Sequence, residues 1–298
     1  MRPNYVNLIF IIAILLFLTA CFCRSGRNFE PSETSSGNSS AKQENPAKQD
    51  NETAKNQTAN PNKKTDAGDF IVEHLEVQNS RYTEIDRQVK EEKLLEKAAD
   101  KLNRALLLPT DLFIKTKDCN EINAFYNPND VSVTLCYELM EHFFKVFKSA
   151  GETDEKAYDK MFAAVQFVFL HEIGHALIDQ YKLPITANEE DAADRCSAYI
   201  NLEELGDEGV RAVLAAADSF AIESKQRAPN NRNMADEHLL QEQRFYNALC
   251  MTYGSNPAKY GTIVTENYLP KERAMRCPAD YQRTVESWKN LLEPWRKN

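Results

Sequence analysis

The chemistry of this chain concentrates in five consecutive residues, His171-Glu172-Ile173-Gly174-His175, which follow a strongly apolar run from Phe167 to Leu170. In a helix, side chains four apart lie one above the other, so the imidazoles of His171 and His175 can point at one ion. Glu172 then falls beside that ion, placed to hold a water and take its proton rather than to ligate. Two imidazoles, one further protein ligand and a position left for water or substrate form the pattern of a catalytic zinc site. The competing reading is a pair of core histidines on an apolar helix. What separates the two is whether the rest of the chain supplies a third ligand.

The motif resembles that of the gluzincin branch of zinc hydrolases, in which the third ligand is a Glu on the following helix. Here that helix opens with Asn188-Glu189-Glu190-Asp191-Ala192-Ala193-Asp194-Arg195. Glu190 and Asp194 share a face, so Glu190 can ligate while Asp194 accepts a hydrogen bond from the far nitrogen of a ligating His and sets its tautomer. Glu189 is the rival ligand, but its neighbour one turn on is Ala193. A helix start also favours acidic residues through its dipole alone, which is the bland explanation of the same run.

These residues need a scaffold, and residues 69–298 are enough for one domain with its own core. Asp69 to Val77 reads as a first strand. A long amphipathic helix follows, in which Ile85, Val89, Leu94 or Leu95, Ala98, Leu102 and Leu106 recur until Pro109 stops it. Leu112 to Ile114 is a second strand, and Ala124 to Tyr126 with Val131 to Leu135 make a hairpin about the Asn127-Pro128-Asn129-Asp130 turn. Helices are expected over 137–148, 154–180, 188–203, 207–226, 236–253 and 279–292. Short strands first and helices afterwards define an α+β domain with a small N-terminal sheet.

Residues 123–244 carry a wider resemblance. His171 to His175 with Glu190 to Asp194 is similar to the HExGH and ExxAD pair of the CAAX prenyl endopeptidase group and its small soluble relatives, the minigluzincins. Asn123-Ala124-Phe125-Tyr126 and Val131-Ser132-Val133-Thr134 resemble two strands of that group. His238 and Arg244 match the spacing of its late His and Arg, although the usual Pro after that His is Leu239 here. Residues from about 110 to 285 also resemble a bacterial family of metallopeptidase-like domains of unknown function. They share Leu135-Cys136-Tyr137-Glu138, Asp236-Glu237-His238 and Arg276-Cys277-Pro278 with it. The resemblance implies a zincin-like domain holding one zinc per chain through His171, His175 and Glu190, with Glu172 as general base. It also implies that His238 donates to an oxyanion with Arg244 orienting it, and that Asn123, Ala124 and Phe125 form a sheet edge along which a peptide adds. His74 and His142 lack companions and read as surface or packing residues.

The first 68 residues are of another kind. An apolar run from Leu8 to Leu18 is too short to span a bilayer and reads as a signal peptide over residues 1–20. Its end, Leu18-Thr19-Ala20-Cys21, resembles a bacterial lipobox, which implies acylation of Cys21 and a membrane anchor. Residues 24–68 are polar and expected to stay disordered, a tether between Cys21 and the domain. Phe22 after that cysteine, in place of Asp, points to the outer membrane of the cell envelope. A formal net charge of −9 argues against nucleic acid as a partner. Of 7 cysteines, Cys119 and Cys136 flank the hairpin turn and Cys250 and Cys277 flank the loop before the last helix. Those two pairs are expected as disulfides, with Cys196 as a buried thiol; Cys23 has no assigned role. The expectation is therefore a lipid-anchored zinc endopeptidase acting on a peptide or protein. The alternative is an envelope binding or assembly lipoprotein that keeps the domain as a scaffold.

Overall fold

Strand-like alternation is confined to the first part of the domain, and the sheet is found there. The computed structural model describes residues 64–186, 188–226 and 236–297. Strands β1 (Phe70–Glu73), β2 (Leu112–Lys117), β3 (Ala124–Asn127) and β4 (Ser132–Cys136) form one sheet in the order β1-β2-β4-β3. β1, β2 and β4 run parallel. β3 returns antiparallel along β4, with Phe125 opposite Thr134 and Tyr126 opposite Val133, and becomes an edge. Leu112, Ile114 and Thr116 of β2 turn inward, and every residue of β4 is buried.

Helices α1 (Thr83–Glu91) and α2 (Leu94–Ala105) lie between β1 and β2. Beyond the sheet come α3 (Tyr137–Ser149), α4 (Asp154–Tyr181), α5 (Glu189–Glu204), α6 (Gly206–Gln226), α7 (Gln241–Ser255), the single turns α8 (Thr262–Thr265) and α9 (Lys271–Ala274), and α10 (Cys277–Leu292). The architecture is the α+β arrangement expected. α4 is long and apolar enough to cross a membrane by composition, yet Ala164, Phe169, Ile173 and Leu177 sit in the main core against the sheet and α3. Such a helix, apolar on most sides, is that of a buried element. A second apolar cluster joins α6, α7 and α10 through Val213, Phe220, Leu249, Met251 and Cys277.

Four expectations differ from what is found. The first strand stops at Glu73 because the chain turns away, with His74 bonded to Glu96 at 2.8 Å and Gln78 N–H donating to Asp118 at 2.7 Å. The long helix over 85–106 is two, since Lys93 takes a left-handed φ of 52° and lets both Val89 and Leu95 reach the core. Leu94 and Leu95 lie five and six residues after Val89, a break in helical spacing. The helix expected from 236 begins at Gln241, where the Gln243 side chain accepts from Leu240 N–H at 3.1 Å. Residues 64–68, read as the end of a tether, are bonded to the domain. Ala67 and Gly68 N–H donate to Leu108 carbonyl at 2.8 and 3.0 Å, and Lys64 N–H to Pro294 carbonyl at 3.1 Å. The signal peptide, Cys21, Cys23 and the tether through residue 63 lie outside the described residues.

Two disulfides are present, Cys119–Cys136 and Cys250–Cys277, and Cys196 is buried and free, as expected. The first ties the end of β2 to the end of β4. The second joins α7 to α10.

Candidate metal centre

The site depends on how closely α4 and α5 approach. A Cβ placed on Gly174 would lie 3.1 Å from both Ala193 Cα and Cys196 Cβ, so glycine in the middle of the motif and alanine opposite it let the helices meet. α5 starts where Asn188 caps it, its side chain accepting from Asp191 N–H at 3.2 Å. That start aims Glu189, Glu190 and Asp194 at α4.

Three atoms converge. His171 Nε2 and His175 Nε2 are 3.1 Å apart, and Glu190 Oε2 lies 3.1 Å from the first and 3.4 Å from the second. A tetrahedral zinc with bonds near 2.05 Å has ligand–ligand edges of about 3.3 Å. Tautomers follow from the far nitrogens. His171 Nδ1 meets Asp194 Oδ1 at 2.9 Å and His175 Nδ1 meets Glu189 Oε1 at 2.8 Å. Carboxylates can only accept, so each Nδ1 carries a proton, and in a neutral ring Nε2 presents a lone pair. Two lone pairs and a carboxylate oxygen thus face one point, an arrangement that calls for a cation. These residues fit a zinc ion.

The electrostatics say the same. Burial opposes charge on His171, but hydrogen bonds to Asp194 and Glu190 outweigh it and lift its pKa to about 9. His175 is raised likewise, burial being outweighed by Glu190 and Glu189. Burial works to raise Glu190, yet hydrogen bonds from His171, His175 and His238 hold it far below the usual carboxylate range. Asp194 is also held low against burial, by the Arg244 charge and by His171. A proton meets part of the demand for positive charge that a metal would meet in full.

Glu172 stands next to these three candidate ligands and is buried. Its Oε2 accepts from the backbone N–H of Tyr126 in β3 at 2.9 Å. Burial raises its pKa, against the pull of His171 and His175. The Tyr126 hydroxyl donates to Asp179 at 2.7 Å and accepts from Gln180 at 2.9 Å, so one residue of β3 grips α4 twice, seven residues apart. No side-chain pattern marks the backbone bond to Glu172; the signal for the hydroxyl is only that Asp179 lies two turns beyond Glu172 on one face.

That bond also orients the edge. Backbone groups of an antiparallel strand point alternately to either side. Tyr126 N–H points away from β4, and Cys136 N–H donates to Asn123 carbonyl at 3.2 Å. The free edge therefore offers the N–H and C=O of Ala124 and the C=O of Tyr126. Of the three residues expected to bind a peptide through their backbone, Asn123 and Phe125 turn those groups to β4 and only Ala124 presents them outward. All three line a cleft of about 1250 Å³ that also contains the ligand cluster.

His238 lies in the segment before α7, its Nε2 2.8 Å from Glu190 Oε2 and its Nδ1 3.2 Å from Asp236. The Asn188 side chain donates to Glu237 carbonyl at 2.7 Å and fixes that segment to the start of α5. Arg244 does not orient His238. Its Nε and Nη2 donate to the two oxygens of Asp194 at 2.8 and 2.7 Å, a planar fork matched to a carboxylate. Glu189, weighed as a ligand, braces His175 instead. His74 and His142 do have partners, Glu96 at 2.8 Å and Glu223 at 2.7 Å, and His142 lines the cleft. A second grouping, Cys119, Cys136 and Glu138, is no metal site here. Its thiols form a disulfide, and Glu138 accepts from Cys119 and Asn120 N–H at 3.1 and 2.8 Å.

An α+β domain that converges two histidines and a glutamate on one point is a metal-binding domain of hydrolase type. The chain belongs to the family described as "putative metallopeptidase", whose family model matches residues 74–292. No curated protein and no solved structure is significantly similar to the chain.

Proposed function

We propose that this protein is a zinc-dependent endopeptidase of the gluzincin type that hydrolyses a peptide laid along β3. The observation that carries this reading is the meeting of His171 Nε2, His175 Nε2 and Glu190 Oε2 beside a buried glutamate. Zinc held there would polarise the scissile carbonyl and lower the pKa of water. Glu172 takes the proton and passes it to the leaving amine. With Oε2 held by Tyr126 N–H, Oε1 is the oxygen left to move the proton. His238 stands beside Glu190, whose hydrogen bond keeps the imidazole protonated above its ordinary range. It is thus suited to donate to the oxyanion. Ala124 and the Tyr126 carbonyl align the substrate by β-addition.

Elemental analysis of the purified full chain should find about one zinc per chain. Wild type should cleave a mixed peptide library, and Glu172→Gln should keep the metal and lose about 10²–10⁴-fold in rate. Cleavage that survives Glu172→Gln sinks the assignment of the base, and a metal-free, inactive protein sinks the reading.

We further propose that the protein is exported and held on the membrane of the cell envelope by acylated Cys21. The sequence of the first 21 residues supports this, and so do two disulfides, which persist in oxidising compartments. Labelled fatty acid should be incorporated by wild type and not by Cys21→Ser. Equal labelling of both would remove the anchor.

A further inference from the structure

The cleft continues beyond the ligand cluster toward the N-terminal part of α4. There its wall is apolar, built from Leu139 and Phe143 of α3, Val168 of α4 and Phe220 of α6. Val168 precedes His171 by one helical turn, so this wall adjoins the ligands. Glu223, whose side chain is 22 % exposed, lines the same cleft, three residues on from Phe220 in α6 and bonded to His142, the neighbour of Phe143 in α3. One of its oxygens meets His142 Nε2 at 2.7 Å, and the other accepts from Gln241 at 3.4 Å.

The remaining carboxylates of the cleft have other work. Glu172 and Glu190 belong to the centre, Glu189 braces His175, and Asp179 pairs with Lys182 at 2.8 Å. Glu237 is exposed to water. Of the two cationic residues that line the cleft, Lys182 is taken by Asp179 and Arg244 by Asp194. Among the described residues no lysine or arginine pairs with Glu223. Among the described residues this carboxylate is bonded to an imidazole and an amide, and it can still receive a cation. A bond tying α3 to α6 would account for the His142–Glu223 contact. It does not account for the opening of that contact into the cleft that the apolar wall lines.

We propose that this wall with Glu223 is the subsite for a lysine or arginine side chain, which makes the protein selective for peptides bearing a basic residue next to the bond cut. The proposal rests on the peptidase reading and names its substrate class. Long basic side chains bury an aliphatic stem while their charged head finds a partner, and an apolar wall that holds a carboxylate matches both parts.

Binding separates this proposal from turnover. The full chain carrying Glu172→Gln, loaded with zinc, is titrated with fluorescent peptides that differ at one position as lysine, arginine, norleucine or glutamate. At one position the lysine and arginine peptides should bind about tenfold tighter than norleucine or better, the value of one charge-assisted contact. Adding Glu223→Gln, which removes the charge, accepts from His142 through its one carbonyl oxygen and can donate to Gln241 once that amide turns its unpartnered Oε1 inward, should erase that preference and leave the norleucine Kd within about twofold. Glu223→Lys should invert the preference toward glutamate. Equal affinities for lysine and norleucine, a preference that survives both substitutions, or no binding at all overturns the subsite. Hydrolysis of the same peptides by wild type is read separately. Cleavage without basic preference overturns the subsite alone, and basic-selective binding without cleavage overturns the peptidase reading alone.

Discussion

His171 and His175 stand four residues apart on one helix, yet their far nitrogens end in different surroundings. His171, with 4 % of its side chain exposed, rests on Asp194, and Asp194 is gripped through both oxygens by Arg244, itself 12 % exposed and lying over the Phe220 ring. His175 rests on Glu189, which is 54 % exposed and has no further partner among the described residues. Charge-assisted bonds away from water are strong and mutually reinforcing, whereas an exposed pair is screened and gains little. The inner half of the centre is therefore fixed by three elements, α4, α5 and α7. The outer half is braced by one exposed carboxylate alone.

The largest test of that contrast is Asp194→Ala. It should weaken zinc binding by about 10–100-fold, as loss of a ligand-orienting partner does. It should also cost about 3–5 kcal/mol in stability, because Arg244 is left without its carboxylate; zinc titration and chemical denaturation measure both. Arg244→Met leaves Asp194 with His171 and should cost less, about 1–3 kcal/mol. If the two variants were equal, the fork from α7 would be the whole of the brace.

The pH dependence sharpens the comparison further. In chelator-treated protein, His171 has a folded pKa of about 9 against an ordinary 6.5. Its contribution is fully present below pH 6.5 and is lost as pH rises through about 9. Denaturation midpoints should fall across that window in wild type and in Glu189→Gln, and the slope should flatten in Asp194→Asn. Zinc-loaded protein runs the other way at low pH, since protons displace the ion. The smallest effect belongs to Glu189→Gln itself, within about 1 kcal/mol and a few-fold in zinc affinity. A loss equal to that of Asp194→Ala would erase the distinction between inner and outer histidine.

How much of this could be read from sequence follows from distance along the chain. The candidate ligands sit at helical spacing, four between the histidines, and Glu190 and Asp194 are four apart on the next helix, so periodicity alone brings them onto shared faces. The α+β order and both disulfides follow from local runs and flanking positions. What stayed hidden joins remote segments. Arg244 reaches Asp194 from 50 residues on, and its spacing from His238 suggested the wrong partner. The contact of Tyr126 with Glu172 passes through a backbone N–H, which no residue type reports. The split at Lys93 is local, and its one signal is the break in spacing between Val89 and the Leu94-Leu95 pair.

The short β3 edge has a consequence for the resting protein. An exposed strand is a template for pairing with other copies, and proteins guard such edges with brevity, proline or blocked groups. β3 has four residues, Pro128 follows it, and its Tyr126 N–H is occupied by Glu172. A second molecule would find at most three open backbone groups there, too few to seed aggregation. The carboxylate proposed as the general base thus doubles as a guard against self-association.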